Sequence, residues 1–308
     1  MELLIFFAGF AVFLAGLLGF ERTISYLAGP GLERYLGYLT GNLFTAFCFG
    51  LLITALVQSS SLVLVTLVGL ARARLMNLRQ ALGVILGANL GTTVTIHIFS
   101  LNLEGHYYLF FLLALVLFFF SPGRKPNVSA RAFFYLGLCF AGFFLLKQSS
   151  GFLQNFMATR FHGFVIGPLG GLASGIILTG LVQSSSVVSG FIVLMVYQGV
   201  FTLPETIPMI MGSNIGTCST AILASAIAGR EGQKIALAHL VFNLCGVLFW
   251  LPFRQIFVYL VLIFSSLPAR QVAFFHTLFN LLTVLAFLPF ASLLVEVLDH
   301  LFHETGGK

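Results

Sequence analysis

Thr54-Ala55-Leu56-Val57-Gln58-Ser59-Ser60-Ser61 and Thr179-Gly180-Leu181-Val182-Gln183-Ser184-Ser185-Ser186 are one pattern written twice, 125 residues apart. Further on, Gly87-Ala88-Asn89-Leu90-Gly91-Thr92 is answered by Gly212-Ser213-Asn214-Ile215-Gly216-Thr217, again at a shift of 125, so both copies keep 31 residues from Gln to Asn. Two polar motifs in one order at one spacing mark an internal duplication. A weaker echo, Ala15-Gly16 against Ala141-Gly142, starts each copy one helix earlier. Repeat one then covers about 3–100 and repeat two about 131–229, with a linking helix inside 101–130. His239-x-x-Phe242-Asn243 recurs as His276-x-x-Phe279-Asn280, each ahead of a Leu-Pro-Phe, and marks appended helices over 235–292. A short polar tail, 299–308, reads as a frayed amphipathic end.

Around these motifs the chain is apolar. Of its 308 residues 59% are hydrophobic and 8% charged, with a mean hydropathy of +1.05. An ordinary soluble domain carries roughly 25% charged residues. The composition therefore describes an all-α polytopic membrane protein and excludes a secreted disulfide scaffold, a disordered chain and a soluble enzyme. The net charge of +6 lies between apolar runs, where it reports topology rather than nucleic-acid binding. Cys48, Cys139, Cys218 and Cys245 have no C-x-x-C spacing and read as small buried hydrophobes. Met1-Glu2-Leu3 lacks a basic leader region, so 3–20 reads as a retained membrane helix. Further crossings fall at 78–100, 107–121, 131–147, 203–229, 235–253 and 271–290, with 255–267 short, for seven or eight in all.

The stretches 42–71 and 164–199 carry the Gln-Ser-Ser-Ser blocks in their middles. As helix, the arms 42–57 and 62–71 are roughly 24 and 15 Å long, and the second is too short to cross alone. Charge decides between hairpin and span. If both stretches are re-entrant hairpins, Arg22, Arg34, Arg72, Arg74, Arg79, Arg124, Lys125, Arg131, Arg230, Lys234 and Arg270 share one side. Lys147, Arg160, Arg254 and Lys308 take the other, a split of 11 to 4, against 7 to 8 if both stretches span. The positive-inside rule favours hairpins, and the two repeats are then inverted, an arrangement found in secondary transporters.

Backbone that leaves a helix inside a membrane has to be received by protein or a water-filled cavity. Two Gln-Ser-Ser-Ser tips, with helices broken at the two Gly-x-Asn-x-Gly-Thr segments, would offer hydroxyl, amide and carbonyl oxygens that suit sodium. Their free N–H groups and helix N-termini suit a small anion. The acidic residues Glu2, Glu21, Glu33, Glu104, Glu205, Glu231, Glu296, Asp299 and Glu304 lie near expected helix ends or loops, and neither block holds a carboxylate. That favours sodium over proton coupling, with His239 and His276 the midspan titratable candidates. A His and an Asn four apart more simply bond a neighbouring helix, and Phe118-Phe119-Phe120 packs or faces lipid. Enzyme chemistry is not indicated. Leu172-Ala173-Ser174-Gly175 lacks the first glycine of an intramembrane serine-protease site, and no phosphate-cradling Gly-x-x-x-x-Gly-Lys loop is present.

The doubled Gln-Ser-Ser-Ser at 58–61 and 183–186, the Gly-x-Asn-x-Gly-Thr at 87–92 and 212–217, and Ala-His-Leu-Val-Phe-Asn at 238–243 resemble the type II sodium/phosphate cotransporter family. The resemblance covers roughly 5–290. It implies sodium-driven transport of inorganic phosphate in a cell membrane, for a bacterial-type member the inner membrane. Gln58, Ser59, Ser60, Ser61, Gln183, Ser184, Ser185 and Ser186 would line the site, with Asn89, Thr92, Asn214 and Thr217 as second candidates. Sodium is transported rather than held as a cofactor, and its ligands are expected among the same residues. Phosphate, sodium and membrane lipid are the expected partners, nucleic acid is not, and a homo-oligomer stays open. Many bacterial members carry a C-terminal soluble domain resembling a phosphate-regulatory protein, and the sequence here ends at Lys308 without one. A carrier of sulfate or a dicarboxylate, a phosphate exporter and an anion channel remain as alternatives.

Overall fold

Peptide groups in lipid have no water to bond, so an apolar chain satisfies them within helices. In a computed structural model, which describes residues 1–101, 103–120, 127–149, 151, 155 and 167–304, the described residues form fourteen α-helices, three 3-10 turns and no strand. Arg124, Lys125, Arg160 and Lys308, counted in the charge balance above, lie outside the described residues, as does the tail from Thr305.

In order, the helices are α1 (Glu2–Leu39), α2 (Leu43–Val57), α3 (Ser60–Arg72), α4 (Leu78–Gly91), α5 (Thr93–Phe99), α6 (Tyr107–Phe119) and α7 (Val128–Gln148). Then follow α8 (Pro168–Val182), α9 (Ser185–Tyr197), α10 (Leu203–Ser225), α11 (Gly229–Trp250), α12 (Arg254–Phe264), α13 (Pro268–Phe287) and α14 (Ala291–Glu304). Among the described residues, six segments are long and apolar enough to cross a membrane: Glu2–Ile24, Leu78–Phe99, Val128–Gln148, Leu203–Ser225, Gly229–Phe264 and Pro268–Phe302. The expected crossing at 107–121 is shorter, because α6 has 13 residues, about 20 Å of helix.

The copies match most closely around the Gln-Ser blocks. α2 and α8 have 15 residues each, and α3 and α9 have 13 each. α1 packs along α7, and α2 packs on α4 as α8 packs on α10. The Ala-Gly echo lies in the first of these contacts. A Cβ on Gly16 would fall 2.3 Å from the Cys139 amide nitrogen, and one on Gly142 would fall 2.3 Å from that of Phe13. Around this seam Phe13, Phe99, Phe140 and Phe143 form a buried aromatic cluster, with Phe99 stacked on Phe143 at 6.3 Å between centroids.

The glycines of the Gly-x-Asn-x-Gly-Thr segments do other work than expected. α10 runs unbroken through Gly212–Thr217, and at the α4–α5 junction Thr92 keeps helical dihedrals (φ −60°, ψ −26°) with its N–H on the Ala88 carbonyl. The second copy is therefore not broken there, and the first is interrupted only at Thr92, without leaving helical dihedrals. A Cβ on Gly87 would lie 2.0 Å from the Phe47 carbonyl oxygen, and one on Gly212 would lie 2.1 Å from that of Leu172. These glycines let two backbones touch, a role small residues commonly fill between membrane helices.

Three further differences concern the periphery. α1 has 38 residues, about 57 Å, so the first helix continues well past Phe20. The stretch from Asp299 is not frayed up to Glu304: α14 buries Leu298, and Asp299 takes an ion pair from Lys234 at 2.7 Å. Both Leu-Pro-Phe segments are 3-10 turns that lead into a second helix, α12 or α14. Cys139 and Cys218 are buried free thiols, but Cys48 and Cys245 are exposed. They stand on apolar helices, where a thiol can face lipid as readily as a core. Phe118, Phe119 and Phe120 are exposed, the lipid-facing alternative of their expected role.

Gly87→Ala and Gly212→Ala are each expected to destabilise by about 1–3 kcal/mol, because a methyl group meets rigid backbone. Gly69→Ala on α3, with nothing within 4 Å of the added carbon, is expected to be neutral or to stabilise by up to about 1 kcal/mol. Melting temperatures of the three variants in detergent check the opposite signs.

Candidate functional site

Each Gln-Ser pair ends one helix and starts the next with no linker between. Gln58 (φ 58°, ψ 22°) and Gln183 (φ 61°, ψ 18°) are left-handed C-caps of α2 and α8. A non-glycine residue there costs of order 1 kcal/mol. The glutamine side chain offsets that cost. Gln58 Nε2 donates to the Ala55 carbonyl and Gln183 Nε2 to the Gly180 carbonyl, acceptors that the helix end leaves open. The next residue is extended and caps the following helix. Ser59 Oγ accepts from the Leu62 N–H at 3.3 Å, and Ser184 Oγ accepts from the Val187 N–H at 3.4 Å.

The two tips meet. Ser61 Oγ donates to the Gln183 main-chain carbonyl at 3.2 Å and lies 3.4 Å from Thr220 Oγ1. Residues 122 apart in sequence are thus joined at the start of α3 and the end of α8. Gln58 Oε1 accepts from Thr95 Oγ1 at 2.7 Å. Ser60, Ser184, Ser185 and Ser186 are all buried. No protein hydrogen bond holds the hydroxyl of Ser60 or of Ser185 among the described residues. These two matching hydroxyls stand on the first residues of α3 and α9.

The second candidates are placed differently. Asn89 Nδ2 and Thr92 Oγ1 bond back to the carbonyls of Ile85 and Ala88 in their own helix, both at 2.9 Å, and Thr217 Oγ1 bonds to that of Ser213. Asn214 joins the appended helices. Its Nδ2 donates to Asn280 Oδ1 at 3.2 Å, and its Oδ1 lies 3.3 Å from His276 Nε2. In the first copy of the His-x-x-Phe-Asn element, Asn243 Nδ2 lies 3.5 Å from Cys218 Sγ. Both copies therefore bond the neighbouring helix α10, as expected for this element.

Three contacts were missed in the sequence. Thr95 and Thr220 reach the tips from three residues beyond Thr92 and Thr217, and they too are 125 apart. Following the repeat three residues further would have found them. Glu21 lies not at a helix end but inside α1, where its Oε1 accepts from Ser184 Oγ at 3.1 Å. A carboxylate thus does touch a motif serine. The copies also differ in one pair. Thr179 Oγ1 donates to Ser213 Oγ at 2.8 Å, whereas its counterpart Thr54 Oγ1 is buried without a partner, because Ala88 stands where Ser213 stands in the second copy.

A family model described as Na+/Pi-cotransporter matches residues 12–148 and 149–271. The YqeW protein of Bacillus subtilis is 31% identical over 252 residues, which cover 78% of this chain and 79% of that protein. The sodium-dependent phosphate transport protein 2A of Oryctolagus cuniculus is 44% identical over 82 residues, 25% of this chain and 13% of that protein. The Escherichia coli protein named "Putative inorganic phosphate export protein YjbB" is 26% identical over 216 residues, 68% of this chain and 39% of that protein. The chain thus spans well under half the length of the last two relatives. No solved structure matches at a significant level.

Ala88→Ser is expected to give Thr54 its missing partner and to stabilise by about 1 kcal/mol. Thr95→Val leaves Gln58 Oε1 without its donor in a buried place and is expected to cost about 1–3 kcal/mol. Thermal unfolding of both variants reads the two shifts, which should have opposite signs.

Proposed function

Because the chain belongs to the Na+/Pi-cotransporter family, we propose that it is a secondary carrier that uses the sodium gradient to take up inorganic phosphate across a bacterial inner membrane. The observation that carries this reading is the meeting of the two tips through Ser61 Oγ and the Gln183 carbonyl. On this reading α2–α3 and α8–α9 are re-entrant hairpins that enter from opposite sides. The positive-inside count supports that, as do the lengths of these helices, about 20–22 Å against the ~30 Å of a hydrocarbon core.

The chemistry follows from the caps. The first N–H groups of α3 and α9 have no carbonyl four residues behind them, and the helix dipole favours an anion at that end. The hydroxyls of Ser60 and Ser185 add two donors. No Lys or Arg stands in either block, so phosphate is held by dipoles and hydroxyls. Sodium is held by the oxygens of Gln58, Gln183 and the serines, and its charge compensates that of the phosphate. Exposure of the paired tips to one side and then the other moves the ions without a continuous pore.

A second reading, export, is favoured by the name of the Escherichia coli relative. Radiolabelled phosphate flux in proteoliposomes separates the two. Uptake that needs an inward sodium gradient and saturates is the expected result. Flux that ignores sodium would overturn the coupling, and unsaturable flux would point to a channel. Ser60→Ala and Ser185→Ala are each expected to abolish uptake while the protein still elutes as a folded species on size exclusion. Normal uptake by either variant would remove its tip from the site.

A further inference from the structure

Glu21 is the one carboxylate seen on a motif serine among the described residues. It is half-buried within α1 and accepts from Ser184 Oγ at 3.1 Å, and Ser186 stands two residues further along the first turn of α9. Both serines are themselves more than nine-tenths buried. The ion pairs among the described residues join Lys147 to Glu104 and Lys234 to Glu231 and Asp299, and none reaches Glu21. A half-buried carboxylate with no ion pair among the described residues is well placed to share its charge with a proton or a bound cation.

Its place makes that charge matter. Ser184 is the N-cap of α9, so Glu21 sits at the end of the helix that attracts anions. A carboxylate bonded to that cap is itself an anion at the helix end, and it repels an incoming anion unless a cation lies between them. Glu21 Oε1 and the Ser184 hydroxyl lie 3.1 Å apart, with the buried Ser186 hydroxyl on the same first turn of α9, and such hard oxygens suit sodium. The first copy has no equivalent. The helical position that corresponds to Glu21 under the Ala-Gly echo is Lys147, which bonds Glu104 at 3.0 Å and the Tyr197 hydroxyl at 3.1 Å.

We propose that Glu21, with the hydroxyls of Ser184 and Ser186, forms a site for one coupling sodium ion, which cancels the carboxylate's charge and opens the N-terminus of α9 to anionic phosphate. The proposal rests on the carrier reading above and gives its coupling a physical cause: phosphate enters the second tip only after the cation.

The test is direct binding of radioactive sodium to the purified full chain, wild type against Glu21→Gln, with phosphate uptake measured in parallel. Glu21→Gln keeps the size and hydrogen-bonding capacity of the side chain but not its charge. Sodium affinity is expected to fall at least tenfold. Glu21→Asp is expected to recover part of it, and Ser186→Ala to lose several-fold. In uptake, the sodium dependence of the Gln variant should lose about one ion from its Hill slope. Wild-type sodium affinity in Glu21→Gln would overturn the proposal. So would unchanged sodium binding with an altered pH dependence of uptake, which would make Glu21 a proton site. If Glu21→Gln fails to fold, Ser186→Ala decides alone by the same criterion. A wild type that binds sodium at Glu21 yet moves no phosphate would sink the carrier reading and leave the cation site standing.

Discussion

A helix that stops in a buried place leaves carbonyls at one end and N–H groups at the next, and bulk water is not there to take them. This constraint shapes everything around the tips. The Gln-Ser pair answers it in two residues. The glutamine amide returns to the open carbonyls of the helix just ended, and the serine hydroxyl accepts an N–H of the helix about to begin. A glycine would adopt the left-handed turn more cheaply, but it has no amide to offer. The remaining N–H groups at the starts of α3 and α9 are the donors on which the proposed anion site rests.

Holding two such turns against each other requires stiff surroundings. The close backbone contacts of α2 with α4 and of α8 with α10 supply them, because packed backbones have no rotamers to change. The polar residues further along the same helices then act at fixed depth. Thr95 steadies Gln58, Thr220 stands beside Ser61, and Asn214 ties α10 to α13. Glycine thus sets the spacing between helices, and threonine and asparagine set the orientation of what the helices carry.

Much of this was legible in the sequence. The identical shift of both motifs exposed the duplication, and composition alone identified an apolar helical protein. The Gln-Ser blocks were rightly read as places where helices end, since a run of hydroxyls offers caps. In the second copy Gly-x-Asn-x-Gly-Thr was misread as a break, because a glycine that lets the chain bend and one that lets another chain approach look alike until the partner is known. Glu21 was missed for a related reason. Hydropathy ended the first helix at Phe20, and a charge just past an apolar run is indistinguishable from a loop charge unless the helix is known to continue. Thr54 without a partner is legible only by comparison, through the alanine at 88 against the serine at 213.

The bond between the tips is made by a side chain on one copy and by main chain on the other. Every residue that could stand at 183 has a carbonyl, whereas at 61 a hydroxyl of short reach is needed. The joint therefore ties down the amino acid at one end only. Gln183 remains answerable to its own helix end, and Ser61 is answerable to its neighbour. A duplicated protein with such a one-sided joint can let its halves drift in composition, each toward its own task, without losing the seam between them.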